Sequence, residues 1–215
     1  METNPNKLRL RALIAFQDKR FADALVDLDI LVSLTGHDWD HRWRGLAFLC
    51  AGKYAEAYEV FETLHDRCPE DPRTLTVMSV IKSSCADDSV RDGRMGLEFA
   101  ELQAQTFGYD WSTWAVLAAA HAEIGEFEIA VRHIDDAIRT APASQVERFS
   151  CRRQQYLNKE AYRLPADGFD GLVPMAKCLD CGADAFCSDG YPAPGRNLLC
   201  LKCAQTKFAT DLPSN

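Results

Sequence analysis

The chain has 215 residues with a formal net charge of −8; 47% of them are hydrophobic and nine are cysteines. That apolar share supports a real core and excludes disorder throughout, and the length suits one large domain with a small appendage. The negative charge argues against general attraction to nucleic acid or to anionic membranes.

The opening residues, METNPNKLRLRALIAF, carry charges every few positions and lack the apolar run of a signal peptide. No later stretch approaches the ~18 uncharged apolar residues of a membrane span. Neither export nor membrane spanning is expected, and the chain reads as cytoplasmic. In a reducing compartment nine cysteines point to free thiols or metal ligands rather than disulfides.

Asn4-Pro5 has the form of an N-cap and first turn, which predicts a helix from residue 5. Three later segments then fall into register: KRFADALVDLDIL from Lys19, GKYAEAYEVFETL from Gly52 and GEFEIAVRHIDDA from Gly125. Each has an aromatic residue (Phe21, Tyr54, Phe127) followed three positions later by alanine (Ala24, Ala57, Ala130). Twelve residues before each alanine stands another small residue, Ala12, Gly45 or Ala118. Small side chains at both places let two antiparallel helices approach closely, so the unit is a helical hairpin. A fourth copy spans residues 72–107, with Ser79 and Gly96 as its small pair and a longer connection, CADDSVRDG. Leu28, Leu31, Phe61, Leu64, Ile134 and Ala137 take core positions by helical spacing.

Gly45, Phe48, Tyr54, Ala57, Phe61 and Pro69, and again Trp114, Leu117, Phe127, Ala130, Ala137 and Pro142, stand where the tetratricopeptide repeat family places its motif residues, and the third and fourth copies look like a bacterial variant of it. Residues 5–142 resemble that family, with Arg11 in place of its usual leucine and Lys19 in place of its turn glycine in the first copy. The resemblance implies an all-α fold: a right-handed superhelical stack of hairpins at about 5–36, 38–69, 72–107 and 111–142, presenting a concave face to a peptide or protein partner. Lone hairpins cannot bury their apolar stripes, so stacking supplies the shared core and the ends need polar covers.

A capping helix is expected over 143–163, with Val146, Phe149, Tyr156 and Leu157 on one face and Arg148, Arg152 and Lys159 around the rest. Two prolines and two glycines within LPADGFDGLVP then mark a linker, 164–175. Cys178-x-x-Cys181 and Cys200-x-x-Cys203 follow, separated by 18 residues, a spacing that reads as one zinc site. Four thiolates close the tetrahedral shell of zinc, so the metal is expected to be structural. Strands are expected at ADAFCS and RNLLC, Cys187 being a strand residue or bystander thiol, and the module, 176–207, resembles a small β zinc ribbon; a short tail, 208–215, ends the chain.

No glycine-rich phosphate loop, nucleophile elbow or paired-histidine metal motif is present, so a non-catalytic scaffold is expected. His121 and His133 read as packing or surface residues, and Trp39 and Trp43 as packing between repeats. The alternative function, a nucleic-acid- or transcription-associated factor working through the ribbon, meets an acidic module: four basic residues against six aspartates from Pro165 onward.

Charge also divides the hairpins. Lys7, Arg9 and Arg11 outnumber Asp18 in the first helix, and Arg42 and Arg44 outnumber Asp40 in the third, whereas Asp23, Asp27 and Asp29, then Glu56, Glu59, Glu62 and Asp66, make the second helices acidic. Arg9, Arg42 and Arg73 are the candidate contacts for an acidic partner segment. The competing reading is that these arginines lie over apolar neighbours and pair with local acids.

Overall fold

The computed structural model describes residues 4–164 and two short strands beyond them. Within these residues lie nine helices, α1 (Pro5–Gln17), α2 (Phe21–Thr35), α3 (Asp38–Cys50), α4 (Tyr54–Arg67), α5 (Pro72–Ser84), α6 (Gly93–Phe107), α7 (Trp111–Glu123), α8 (Phe127–Thr140) and α9 (Ala143–Leu157). The strands are β1 (Met175–Lys177) and β2 (Asp184–Phe186). The main body is therefore all-helical.

One unit recurs. The helices α1, α3, α5 and α7 are each 13 residues long, and the helices that follow them have 14 or 15. Starts are fixed by side chains that accept hydrogen bonds from otherwise unpaired amides: Asn4 at α1, Asp71 at α5, Asp92 at α6 and Asp110 at α7.

Ends recur in finer detail. Lys19, Gly52 and Gly125 all take the left-handed conformation, with φ of 58°, 71° and 85°. Each is followed by the same bond: Arg20 N–H to Ala15 O (2.8 Å), Lys53 N–H to Phe48 O (2.9 Å) and Glu126 N–H to His121 O (2.8 Å). This is the Schellman closure, in which a left-handed residue lets the next amide reach back to a carbonyl of the last helical turn. Lys19 occupies this position although a side chain opposes it.

Packing divides the chain into two compact units, one built around residues 1–60 and the other around residues 61–166, with the boundary inside α4. In the first, α1 packs on α2 and α2 on α3. Ala12, Ala24, Gly45 and Ala57 are buried, as are Leu28 and Leu31. Trp43 is buried edge-to-face against Phe16 (5.0 Å between centroids), joining α3 to α1, and Trp39 sits 5.7 Å from Trp43.

In the second unit α5 packs on α6 and α7, α7 on α8, and α8 on α9. Phe61, Leu64, Ile134 and Ala137 are buried. At the α5–α6 crossing the Ser79 hydroxyl donates to Gly96 O (2.8 Å), and a Cβ added at Gly96 would lie 2.2 Å from Ser83 Oγ and 3.2 Å from Ser83 N. A larger residue would collide with the Ser83 hydroxyl and crowd the α5 backbone, so glycine fits this crossing. At the α7–α8 crossing Ala118 and Ala130 are both fully buried, within a cluster that Phe149 and Tyr156 of α9 complete.

The capping helix is shorter than the sequence suggests. It stops at Leu157 because Lys159 turns left-handed (φ 59°) and Glu160 N–H closes onto Gln155 O at 2.9 Å. Residues 160–164 then run back over the unit: Arg163 Nη1 reaches Glu123 Oε2 (2.5 Å), and Leu164, buried, donates its amide to Ser84 O (2.7 Å). The buried face of α9 is Phe149, Arg152 and Tyr156, whereas Leu157, expected on that face, is exposed. Lys159 lies 34 residues after Gly125, so α9 has the register of a first helix in a fifth repeat. Arg152 stands where that helix would need its small residue, 34 positions after Ala118. A guanidinium there occupies the space of a second helix, and Tyr162 lies over it instead, 4.0 Å from Arg152 Cζ to the ring centroid.

Strand β2 falls within the expected ADAFCS segment, and β1 was not foreseen. The two are antiparallel, pairing Met175 with Phe186, Ala176 with Ala185 and Lys177 with Asp184. The other expected strand, RNLLC, and the rest of the cysteine module and tail lie outside the described residues.

Candidate functional site

The first unit brings the basic and acidic residues of its helices together. Arg9 on α1 spans to α3, donating from Nε to Asp40 Oδ1 and from Nη2 to Asp40 Oδ2, both at 2.8 Å. Asp40 is 0% exposed, and the Thr35 hydroxyl lies 2.5 Å from its Oδ2. Burial pushes this carboxyl up, but the hydrogen bonds from Arg9 and Thr35 and the charge of Arg9 outweigh it and hold the group below its ordinary range. Arg9 Cζ sits 5.7 Å from the centroid of the Trp39 ring, and the side chain keeps 27% exposure. Its geometry is a bidentate fork braced from behind by an aromatic ring.

Arg11 and Arg44 behave alike. Arg11 forms a bidentate pair with Asp27 of α2, and Arg44 Nε reaches Asp29 of α2 at 2.6 Å. Arg20, just before α2, pairs with Asp23 at 2.6 Å. All three aspartates of α2 therefore face an arginine, so the acidic character of α2 has a local cause.

Arg42 lies half-buried on α3, two residues beyond Asp40. Arg73 belongs to the second unit, at the start of α5, where its Nε is 3.2 Å from Asp71 Oδ1. Asp71 also accepts from the Thr74 amide (3.0 Å) and hydroxyl (2.7 Å), so this acid serves as helix cap and arginine partner together.

Cys178, Cys181, Cys200 and Cys203 lie outside the described residues. Among the described residues no group of three or more His, Cys, Asp or Glu side chains could hold a metal ion. Cys50 and Cys85 are buried; burial pushes the Cys85 thiol up to about 11, which keeps it protonated and a poor nucleophile.

His121 and His133, expected as packing or surface residues, belong to a ladder of rings across α7 and α8 that the sequence did not reveal. Tyr109 stacks on Trp114 (4.3 Å, 23° between planes), Trp114 on His133 (5.2 Å, 23°), and His133 lies 5.2 Å from His121. His121 Nδ1 is 2.7 Å from Glu126 Oε2. His133 Nδ1 is buried and has no hydrogen-bond partner among the described residues. Burial, and then the neighbouring His121, depress the pKa of His133 below its ordinary value. The available signal was the spacing of Trp114 and His121, seven apart on α7, with His133 across the turn. Two of these contacts are face to face, Tyr109 on Trp114 and Trp114 on His133, and the His133–His121 contact is tilted at 33°.

No protein-family model matches the chain, and no curated protein matches it significantly. Its class rests on its own geometry: residues 4–164 form an all-helical body of recurring 13-residue and 14–15-residue helices joined, in three copies, by one turn. Among the described residues no helix is long and apolar enough to cross a membrane.

Proposed function

We propose that the chain is a non-catalytic, cytoplasmic interaction scaffold of the tetratricopeptide type, whose hairpins stack into a right-handed superhelix and hold an acidic peptide or protein segment. The observation that carries this reading is the threefold recurrence of the left-handed turn with its closing bond at Lys19, Gly52 and Gly125. A repeat conserved in backbone geometry while its side chains vary is a scaffold for presenting side chains.

On α1 and α3, Arg9 is the best-prepared contact. Asp40 occupies Nε and Nη2, which leaves Nη1 as the edge toward an incoming carboxylate, and the guanidinium is already oriented at no further entropic cost. Arg42 adds charge on α3, and Arg73 acts from the second unit. The tail is read as a zinc-stapled module held by Cys178, Cys181, Cys200 and Cys203. Bound zinc would supply the folding energy that so short a segment cannot draw from its own core.

Binding of a fluorescent glutamate-rich peptide, titrated against sodium chloride, tests the groove. Arg42→Glu and Arg73→Glu should each weaken it by roughly fivefold to tenfold, with the loss shrinking as salt rises. Arg9→Glu is a poor probe, since it sets two carboxylates together at buried Asp40. Peptide affinity unmoved by both substitutions would remove the arginines from the binding face. Elemental analysis tests the tail: about one zinc per chain, lost in Cys178→Ser or Cys203→Ser, is the expected result.

A further inference from the structure

Among the described residues the first hairpin has an open edge. A cleft of about 410 Å³ runs between α1 and α2, with Ile14 and Val26 in its walls and Arg11, Arg20, Asp23 and Asp27 around its rim. No residue of α3 lines it. Val26 is 61% exposed, and Leu34, two helical turns along α2, is 49% exposed, with half-buried Ile30 between them. Positions 26, 30 and 34 repeat every four residues and make one apolar stripe beside the cleft.

We propose that this edge is a self-association surface that receives a second copy of the chain across a two-fold axis. The charge pattern selects that occupant. A net charge of −8 opposes association of two copies overall, but the residues lining this cleft carry two arginines and two aspartates and are balanced. An isologous contact requires a surface to be complementary to itself, so both signs must lie on one patch. Arg20 and Asp23 meet that condition: they are exposed, they pair with each other at 2.6 Å, with Asp18 a second partner of Arg20 at 3.2 Å, and beside a two-fold axis Arg20 can exchange the Asp23 of its own copy for that of the other. A partner of one sign, such as an acidic segment, gains nothing from a balanced rim. Val26 of each copy then enters the other cleft beside Ile14, continuing the helix-on-helix packing that α3 provides on the hairpin's other contacts.

Sedimentation of the full-length protein from about 1 to several hundred micromolar tests this. The expected result is a reversible monomer–dimer equilibrium whose dissociation constant rises at least about tenfold in Val26→Glu, with helicity unchanged because Val26 is exposed. Arg20→Asp and Asp23→Arg should each weaken self-association, and mixing those two variants should restore it as a heterodimer. A wild-type protein that stays monomeric over the whole range overturns the proposal. So does a dimer indifferent to Val26→Glu, or a mixture of the charge variants that associates no better than either alone.

Discussion

Hairpins α1–α2 and α7–α8 share a backbone plan and differ in what holds them. Both cross at paired small residues and close with the same left-handed turn. The first is bound by ion pairs, with Arg11 on Asp27 within the hairpin and Arg9 on Asp40 of the next helix. In α7 the run from Ala115 to Ala120 is buried throughout and uncharged, and it packs on Ala130, Ile134 and Ala137. The repeat therefore fixes only the crossing and the turn, and the remaining faces can be filled by either chemistry. The energetic consequences differ: desolvating Asp40 offsets most of what its pairing contributes, whereas apolar burial around α7 is nearly all gain.

Phe149→Ala should give the largest effect, because Phe149 is fully buried where α9 closes the α7–α8 cluster. A loss of about 3–5 kcal/mol is expected in denaturant unfolding, the usual range for removing a buried aromatic ring. Asp40→Ala should cost less, about 2–3 kcal/mol: it strands the Arg9 charge, but Arg9 is 27% exposed and can turn toward water. Replacing both partners with apolar residues, as Arg9→Met with Asp40→Leu, should recover most of that loss. If the double replacement is as damaging as Asp40→Ala, the pair contributes net stability and the contrast between the hairpins fails.

Acid should separate the two regions by pH. His133 has a depressed pKa in the folded state, so the unfolded chain binds a proton more readily, and stability falls as pH drops below about 6.5. His121, which repels a charged His133, works in the same direction, while Asp136 opposes it. Asp40 is also depressed, but its contribution persists above the ordinary carboxylate value of about 3.9 and is lost only as pH falls further, through the folded value. Hydrogen exchange near pH 5 should therefore show α7 and α8 amides loosened relative to those of α1–α3, and His133→Phe should remove the difference. Equal loosening of both regions would show that the histidine ladder does not set the acid response.

The hairpins were legible because their constraints are local. A small residue at each crossing and a turn between amphipathic segments leave a periodic trace, and Ser79 and Gly96 could be found by register alone. The ion pairs were legible only as a charge imbalance: opposite signs on neighbouring helices look the same whether they meet each other or await a partner. The end of α9 misled for a different reason. Its pattern continues through Tyr162 and Arg163, yet those side chains are used on Arg152 and Glu123 after the chain has turned back. Tertiary contacts decide that boundary, and helical periodicity carries no record of them.

The smallest expected effect is the most direct test of the shared turn. At φ 58° Lys19 holds a conformation that costs an ordinary residue about 1–2 kcal/mol and costs glycine almost nothing. Gly52 and Gly125 hold the same place with the same closing bond. Lys19→Gly should therefore stabilise the first hairpin, although glycine also enlarges the freedom of the unfolded chain by about 0.4–1 kcal/mol. The difference leaves a net gain of about 0.5 kcal/mol, a rise of one or two degrees in melting temperature for a chain of this length. The reverse change, Gly125→Lys, should lose a similar amount in the α7–α8 hairpin, since nothing lies within 4 Å of the added Cβ and only backbone strain opposes it. Opposite shifts of like size would show that one turn sets the cost in both hairpins, whatever fills their interfaces. A Lys19→Gly protein less stable than the wild type would mean that the Lys19 side chain itself supports the first turn.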